Sequence, residues 1–452
     1  MHVESLPGGN ALYIARRLGQ DESCAGSGGF REGYQRVVTV VGYSGSGAAS
    51  GAAVVGCPDC GTRQRLPGSA RQTVVRCVTC DGTIERTHGR SLSAALACSL
   101  ATLLFLIPAN LSLFLRTDAL GVSRSSHLAS SASAMLSEGW PWLALVVFLF
   151  VVVFPIVRFA LLTAVLGLLE LGRVEPWMGR AFRWSNRLET WAMPEVFLLG
   201  LAVAYARLAA SISVHVGAGA IAFIAAGVLA LVVRATLDKA AVWERIAPDA
   251  PVADAETAIE CQDCDLLLPP HHEGHGCPRC AAPVRRRKPQ SISRTIALTL
   301  AALLLYIPAN IYPLATLPIN FKPTKYTVLE GVIDLAQAGL WDLAILVFCA
   351  SFLIPALKLA GLGWCVWSVL SRSNRHLVAK ARTYRVVEEI GRWSMVDPFV
   401  IGAFVPVMDY NSLIYGRAEA ASVPFTAVVV LTIISAKTFD PRLMWDAARR
   451  RV

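Results

Sequence analysis

Long uninterrupted apolar runs dominate this chain and recur in a regular order. Eight can be placed, at about 92–115, 140–169, 192–214, 216–237, 292–317, 339–370, 396–415 and 421–439. Each is near the roughly 20 residues that a helix needs to cross the hydrocarbon of a bilayer. The pattern predicts an α-helical integral membrane protein with eight transmembrane helices. The seventh run is the most broken, because Pro398, Pro406, Asp409 and Asn411 interrupt it. The fourth carries GAGAIAFIAAG, small residues that let helices approach closely.

The runs fall into two copies of one unit. FLIPANLSLFL at 105–115 matches LYIPANIYPLA at 305–315. Gly139 matches Gly339, Pro155 matches Pro355 and Arg158 matches Lys358, all at an offset of 200 residues. WAMPEVFLLG at 191–200 matches WSMVDPFVIG at 393–402, where the offset has drifted by two. An even number of spans per unit gives both copies the same orientation. They are expected to form parallel four-helix repeats about a pseudo-two-fold axis along the membrane normal.

Four Cys-x-x-Cys pairs precede the spans, two before each repeat: Cys57 with Cys60, Cys77 with Cys80, Cys261 with Cys264, and Cys277 with Cys280. Gaps of 16 and 12 residues separate the pairs within each module, enough for the short hairpins of a zinc ribbon. Four thiolates on two facing knuckles suit tetrahedral Zn²⁺, so two structural zinc ions are expected. A module of this size has too little core to fold without its metal. His271, His272 and His275 are read as a solvated loop. Cys98, Cys349 and Cys365 lie in spans, where Cys behaves as a small apolar residue.

The expected units are a disordered Gly/Ser-rich extension at 1–54 and a first ribbon at 55–90. The first transmembrane repeat then takes 91–240 and the second ribbon 255–288. The second repeat takes 289–440, and a basic tail 441–452. No cleavable signal peptide is visible in residues 1–30.

Composition supports the membrane reading: the 452 residues are 54% hydrophobic and 16% charged, against about a quarter charged in soluble domains. The net charge of +10 is topological. Arg173, Arg180, Arg183, Arg187, the run Arg285 to Lys288, Arg372, Arg375, Lys380, Arg382, Arg385 and Arg449 to Arg451 fall on one side. The other side has only Arg116, Arg124, Lys322, Lys325 and Arg417. The positive-inside rule then puts both ribbons and both termini in the cytoplasm, where thiols stay reduced. Nucleic acid is not expected as a partner.

Polar residues inside the spans are the candidates for mechanism, since an ionisable group at the bilayer centre costs about 2.5–3.5 kcal/mol even on a lenient scale. Arg158 and Lys358 follow Pro155 and Pro355 by three residues; Glu195 and Asp397 open the third span of each repeat. Ion pairs Arg158–Glu195 and Lys358–Asp397 are expected. The competing readings are snorkelling cations and an N-capping Asp397. Asn110 and Asn310 each lie two residues after a proline and are expected to re-satisfy backbone groups or to bond across helices. Asp409 and Asn411 in the seventh run and Thr426, Thr432 and Ser435 in the eighth make the second repeat the more polar one.

The IPAN element, GRWSMVDPF at 391–399 and the order of ribbon then IPAN together resemble the paraquat-inducible protein A family over about 55–440. The first repeat departs from the motif: Ala192, Pro194 and Glu195 stand where the second has Ser394, Val396 and Asp397. The resemblance implies residence in the inner membrane of a Gram-negative bacterium. It implies an MCE-domain partner forming a periplasmic tunnel, and movement of membrane phospholipids without enzymatic chemistry. The residues themselves leave two other readings open: a metal- or redox-responsive membrane protein, and a small-solute secondary transporter. No Walker motif is present, because GYSGSGAASG lacks the Gly-Lys-Ser/Thr ending.

Overall fold

The computed structural model describes residues 40–42, 54–65, 73–86, 92–119, 122–137, 139–209, 213–248, 258–319, 322–408 and 417–450. Most of the expected extension at 1–54 lies outside them. Within it, β1 (Val40–Gly42) is a strand. The first cysteine module adds β2 (Val54–Gly56), β3 (Arg63–Arg65), β4 (Thr73–Arg76) and β5 (Thr83–Arg86). β2 pairs antiparallel with β3, while β4 lies between β1 and β5.

The first repeat then runs α1 (Leu92–Leu111), β6 (Leu115–Ala119), β7 (Val122–Ser126), α2 (Leu128–Ser137), α3 (Pro141–Val147) and α4 (Phe154–Glu170). It continues with α5 (Met178–Leu188), α6 (Pro194–Ala209), β8 (Ser213–Val216), α7 (Ala218–Thr236) and α8 (Lys239–Ile246). The second module is β9 (Ile259–Glu260) and β10 (Leu267–Leu268). The second repeat begins α9 (Ser291–Ile311), β11 (Ala315–Ile319), β12 (Lys322–Tyr326), α10 (Val328–Gln337), α11 (Trp341–Phe348) and α12 (Ile354–Leu370). It ends α13 (Leu377–Ile390), α14 (Val396–Met408), β13 (Arg417–Ala418), α15 (Ser422–Thr438) and α16 (Arg442–Arg449). The two series match element for element, as the sequence repeat requires.

Among the described residues five stretches are long and apolar enough to cross a membrane: Leu92–Leu111, Pro141–Glu170, Ala218–Thr236, Ser291–Ile311 and Trp341–Leu370. A sixth is reached if α15 and α16, bent by 49°, count as one. The chain is therefore a multi-pass membrane protein. α6, with 16 residues, and α14, with 13, are shorter.

The spans are shorter than hydropathy alone indicated. The first run stops as a helix at Leu111 and the fifth at Ile311, and each then passes into a strand, β6 or β11. β6 and β7 form a hairpin with Leu115 opposite Ser126, and β8 adds to the free edge of β6. β11, β12 and β13 repeat this arrangement. Each repeat thus carries a three-stranded sheet just beyond the C-terminal end of its first helix, whose N-terminal end follows the cysteine module. Apolar strand residues such as Leu115 extended the hydropathic runs beyond the helices.

Both long spans contain a π-helical turn, Phe148–Val153 in the first repeat and Cys349–Leu353 in the second. Pro155 and Pro355 explain them. A proline has no N–H to give the carbonyl four residues back. The ladder shifts by one residue just before it, so Phe154 N–H donates to Leu149 O and Ile354 N–H to Cys349 O.

The repeats meet where α6 crosses α14. Phe197 lies edge-on to Phe399 with ring centroids 5.6 Å apart, and a Cβ at Gly200 would stand 3.0 Å from that of Phe399. Phe197 also packs on Phe223, and Phe114 completes the cluster. In a bilayer such contacts stabilise by close packing, because lipid is as apolar as the side chains.

Candidate functional site

The two cysteine modules share one local geometry. In each knuckle the residue after the second cysteine turns left-handed: Gly61 (φ 71°), Asp81 (58°), Asp265 (56°) and Ala281 (55°). Its N–H then donates back to the carbonyl of the first cysteine, at 2.8 Å for Gly61 to Cys57 and 3.0 Å for Asp265 to Cys261. This turn aims both thiols of a pair to the same side. Cys57 Sγ lies 3.5 Å from Cys80 Sγ, and Cys60 Sγ 3.4 Å from Cys77 Sγ. In the second module Cys261–Cys280 and Cys264–Cys277 are both 3.6 Å. These separations are far above the roughly 2.05 Å of a disulfide. Within each module all four sulfurs lie within 4.8 Å of one another and are buried. Each module can therefore hold one metal ion in a closed, all-sulfur site. His271, His272 and His275 stand outside both groups.

The modules dock crosswise. The first packs beneath the second repeat, where Cys57, Cys60, Cys77 and Cys80 join a core with Cys365, Tyr384, Phe439 and Trp445. Arg385 of α13 donates to Cys80 O at 2.8 Å and lies 3.5 Å from Asp59. The second module packs beneath the first repeat. Gly179 of α5 passes so close that a Cβ there would lie 2.0 Å from Arg279 O, and Arg187 forms a two-pronged bond to Asp263 at 2.9 Å. Arg442 joins the halves. Its Nη1 is 3.0 Å from Glu260 of β9, and its stem lies against Gly61. Burial pushes the Glu260 carboxyl up to about 7, aided by Asp265 and opposed by Arg442.

In the second repeat Lys358 is 1% exposed. Its ammonium donates to Thr432 Oγ1 at 2.8 Å, Gly391 O at 3.3 Å and Ser394 Oγ at 3.4 Å. Lys358 does not snorkel. Asp397 lies on α14, but its side chain and the whole of Asp409 are outside the described residues. Thr426 is buried and bonds to Ser422 O of its own helix at 2.9 Å, so the hydroxyl that meets Lys358 is that of Thr432.

In the first repeat the expected pair widens into a cluster. Arg158 is 4% exposed and lies 3.8 Å from Glu189; Glu195 is 3.8 Å from Arg234. Glu189 also lies 2.6 Å from Lys239 and 3.6 Å from Arg234. Burial would raise the Glu189 carboxyl, but Lys239, Arg158 and Arg234 outweigh it and hold it at about 2. Aligning Trp191 with Trp393 places Glu189 opposite Gly391. The same position therefore gives a carboxylate to Arg158 and only a backbone carbonyl to Lys358. Glu189 and Arg234 escaped the sequence reading because they lie at span ends, where charge looks like topology.

Asn110 and Asn310 both act on their own helices, donating to Leu106 O and Tyr306 O at 2.7 Å. The carbonyls that Pro108 and Pro308 free are four residues back, at 104 and 304, so the asparagines bond a different one.

The family model described as paraquat-inducible protein A matches residues 92–247 and 292–449. Intermembrane transport protein PqiA of Escherichia coli strain K12 is 30% identical over 399 residues, 86% of this chain and 95% of that protein. Lipophilic envelope-spanning tunnel protein A of the same strain is 28% identical over 392 residues, 86% of this chain and 91% of that one. A probable intermembrane transport protein of Haemophilus influenzae is 24% identical over 401 residues, 87% of this chain and 95% of its own length. No solved structure matches. With both repeats matched and most of the chain aligned, this protein belongs to the paraquat-inducible protein A family.

Proposed function

We propose that this protein is a non-enzymatic inner-membrane component of a lipid-transport system in a Gram-negative envelope. It passes phospholipids to or from a periplasmic tunnel built by an MCE-domain partner. The observation that carries the reading is the alignment over most of the chain with relatives named for intermembrane transport. The buried ammonium of Lys358 inside the membrane part supports it. A fully buried charge there is expensive to keep, which marks it as a candidate site for a solute, a headgroup or a proton.

Eight spans result if the shorter α6 and α14, and α15, also cross. At 1.5 Å per residue α6 is about 24 Å long and α14 about 20 Å, short of a 30 Å core. The two pack on each other where the repeats meet. The side that holds the ribbons and the basic helices α5 and α13 is the cytoplasm. The metal is zinc. A tetrahedron with Zn–S of about 2.3 Å has edges of about 3.8 Å, close to the observed 3.4–3.6 Å contacts. Zinc would fix the fold of each ribbon, and the crossed docking would tie the two repeats together on the cytoplasmic side.

In this reading Lys358, Thr432 and Ser394 form the polar point that a lipid headgroup or a proton disturbs. Arg158, Glu189, Glu195 and Arg234 form a more fully charged counterpart that holds the first repeat rigid. The test is to purify the full-length protein from its native membrane with mild detergent and to identify what accompanies it. Phospholipid together with an MCE-domain protein is the expected result. A small polar solute with neither of them would overturn the proposal.

A further inference from the structure

Two repeats about a pseudo-two-fold axis make two equivalent seams between them. Among the described residues only one is closed. On that side α2, α3 and the β6–β7 hairpin pack against α14, and α3 also meets α15. The symmetry-related packing would set α10, α11 and the β11–β12 hairpin against α6 and α7. Among the described residues no contact of that extent joins them.

Burial repeats the asymmetry. Leu143 and Val147 are buried at the closed seam, whereas Leu343 and Val347 are only half-buried. Phe352 is 37% exposed where its counterpart Val152 is 9%. α2 buries Leu128, Ser131 and Met135, and α10 buries only Leu335.

At the inner end of the seam α6 meets the turn Gly391–Met395, and within the second repeat the π turn Cys349–Leu353 packs on that same turn and on α14. Ser351 and Ser394 are buried there. Lys358 lies five residues beyond Leu353, about 7–8 Å along the helix. Toward the sheets, the flanking helices expose Leu329, Ile333 and Tyr205. α11 belongs to a stretch apolar enough to cross a membrane. A gap with apolar walls offers water no hydrogen bonds, so hydrocarbon fills it.

We propose that this seam is a lateral entry for a diacyl phospholipid from the leaflet on the sheet side. The headgroup stays level with β12 and the acyl chains run between α10–α11 and α6 toward Phe352. The inference rests on the lipid-transport reading and narrows it to one leaflet and one side of the molecule.

The test uses full-length protein in dodecyl maltoside with one molar equivalent of a photoreactive diazirine phosphatidylethanolamine. Adducts are mapped by peptide mass spectrometry. The pseudo-symmetric segments are internal controls, because Leu145 and Trp142 are as exposed as Ile345 and Trp341. Adducts in 328–353 should exceed those in 128–153 at least about fivefold and be competed by unlabelled lipid. Equal labelling of the two segments would overturn the lateral entry and leave the transport reading standing. Selective labelling without any lipid transfer by the assembled complex would support the entry and remove the transport reading.

Discussion

Replacing Glu189 with Gln tests the charged cluster that holds the first repeat. The Glu189 side chain is 15% exposed and sits 2.6 Å from Lys239, 3.6 Å from Arg234 and 3.8 Å from Arg158. These cations hold it at about 2 against an ordinary 4.5. The difference is roughly 2.5 units, a ceiling of about 3 kcal/mol at 1.36 kcal/mol per unit. Lys239 is 49% exposed and Arg234 34%, so solvent screening reduces this to about 1–2 kcal/mol. The substitution also leaves Arg158, 4% exposed, without its nearest carboxylate, which raises the expected loss to about 2–4 kcal/mol. Thermal unfolding in detergent at neutral pH should then shift down by about 5 °C or more. The sign with pH is that of a depressed acid. Its stabilisation is fully present above about 4.5 and is lost as pH falls toward 2. The wild type should therefore lose stability over that window and Glu189→Gln should lose less. A variant that melts within about 1 °C of wild type, with the same acid profile, would refute the cluster's role.

Gly179→Ala places a methyl 2.0 Å from the backbone oxygen of Arg279, so the second ribbon should lift from α5. Trypsin should then cut within 258–288 faster while the spans stay inserted; unchanged cleavage would count against crosswise docking. Arg385→Ala removes the bond to Cys80 O and the Asp59 contact, and a chelator should extract metal from the first ribbon sooner than from the second. Elemental analysis should find two zinc ions per chain; iron, or less than half a zinc with intact thiols, would contradict that assignment. Lys358→Ala and Thr432→Val should each abolish complementation of a null strain under envelope stress at normal protein levels. Full complementation by both would make the Lys358 contacts scaffolding.

The sequence exposed much of this architecture, because span length, repeat offset and Cys-x-x-Cys spacing are local signals. IPAN, Pro155 and Pro355 marked equivalent places in both repeats, though the π turns themselves needed the backbone. Lys358 was legible as a costly charge beside a proline, but its partners were not. Thr432, Ser394 and Gly391 come from two other segments, and neutral hydroxyls carry no distinctive pattern. The strands β6, β8 and β11 were hidden because residues such as Leu115 and Leu317 continue the apolar runs into sheet, and β7, β12 and β13 are short segments between runs. Crosswise docking of the ribbons was beyond any local pattern. It depends on Arg385 meeting Cys80, a contact across more than three hundred residues.

The central claim is transfer of phospholipid between this protein's membrane and a tunnel partner. The most direct measurement reconstitutes the full-length protein with its co-purified partner in vesicles containing a self-quenched fluorescent phospholipid. Empty acceptor vesicles are added and dequenching is monitored. The account predicts transfer faster than in protein-free vesicles, abolished by Lys358→Ala with both proteins still incorporated. Transfer no faster than in protein-free vesicles, from a complex shown to be intact, would contradict it.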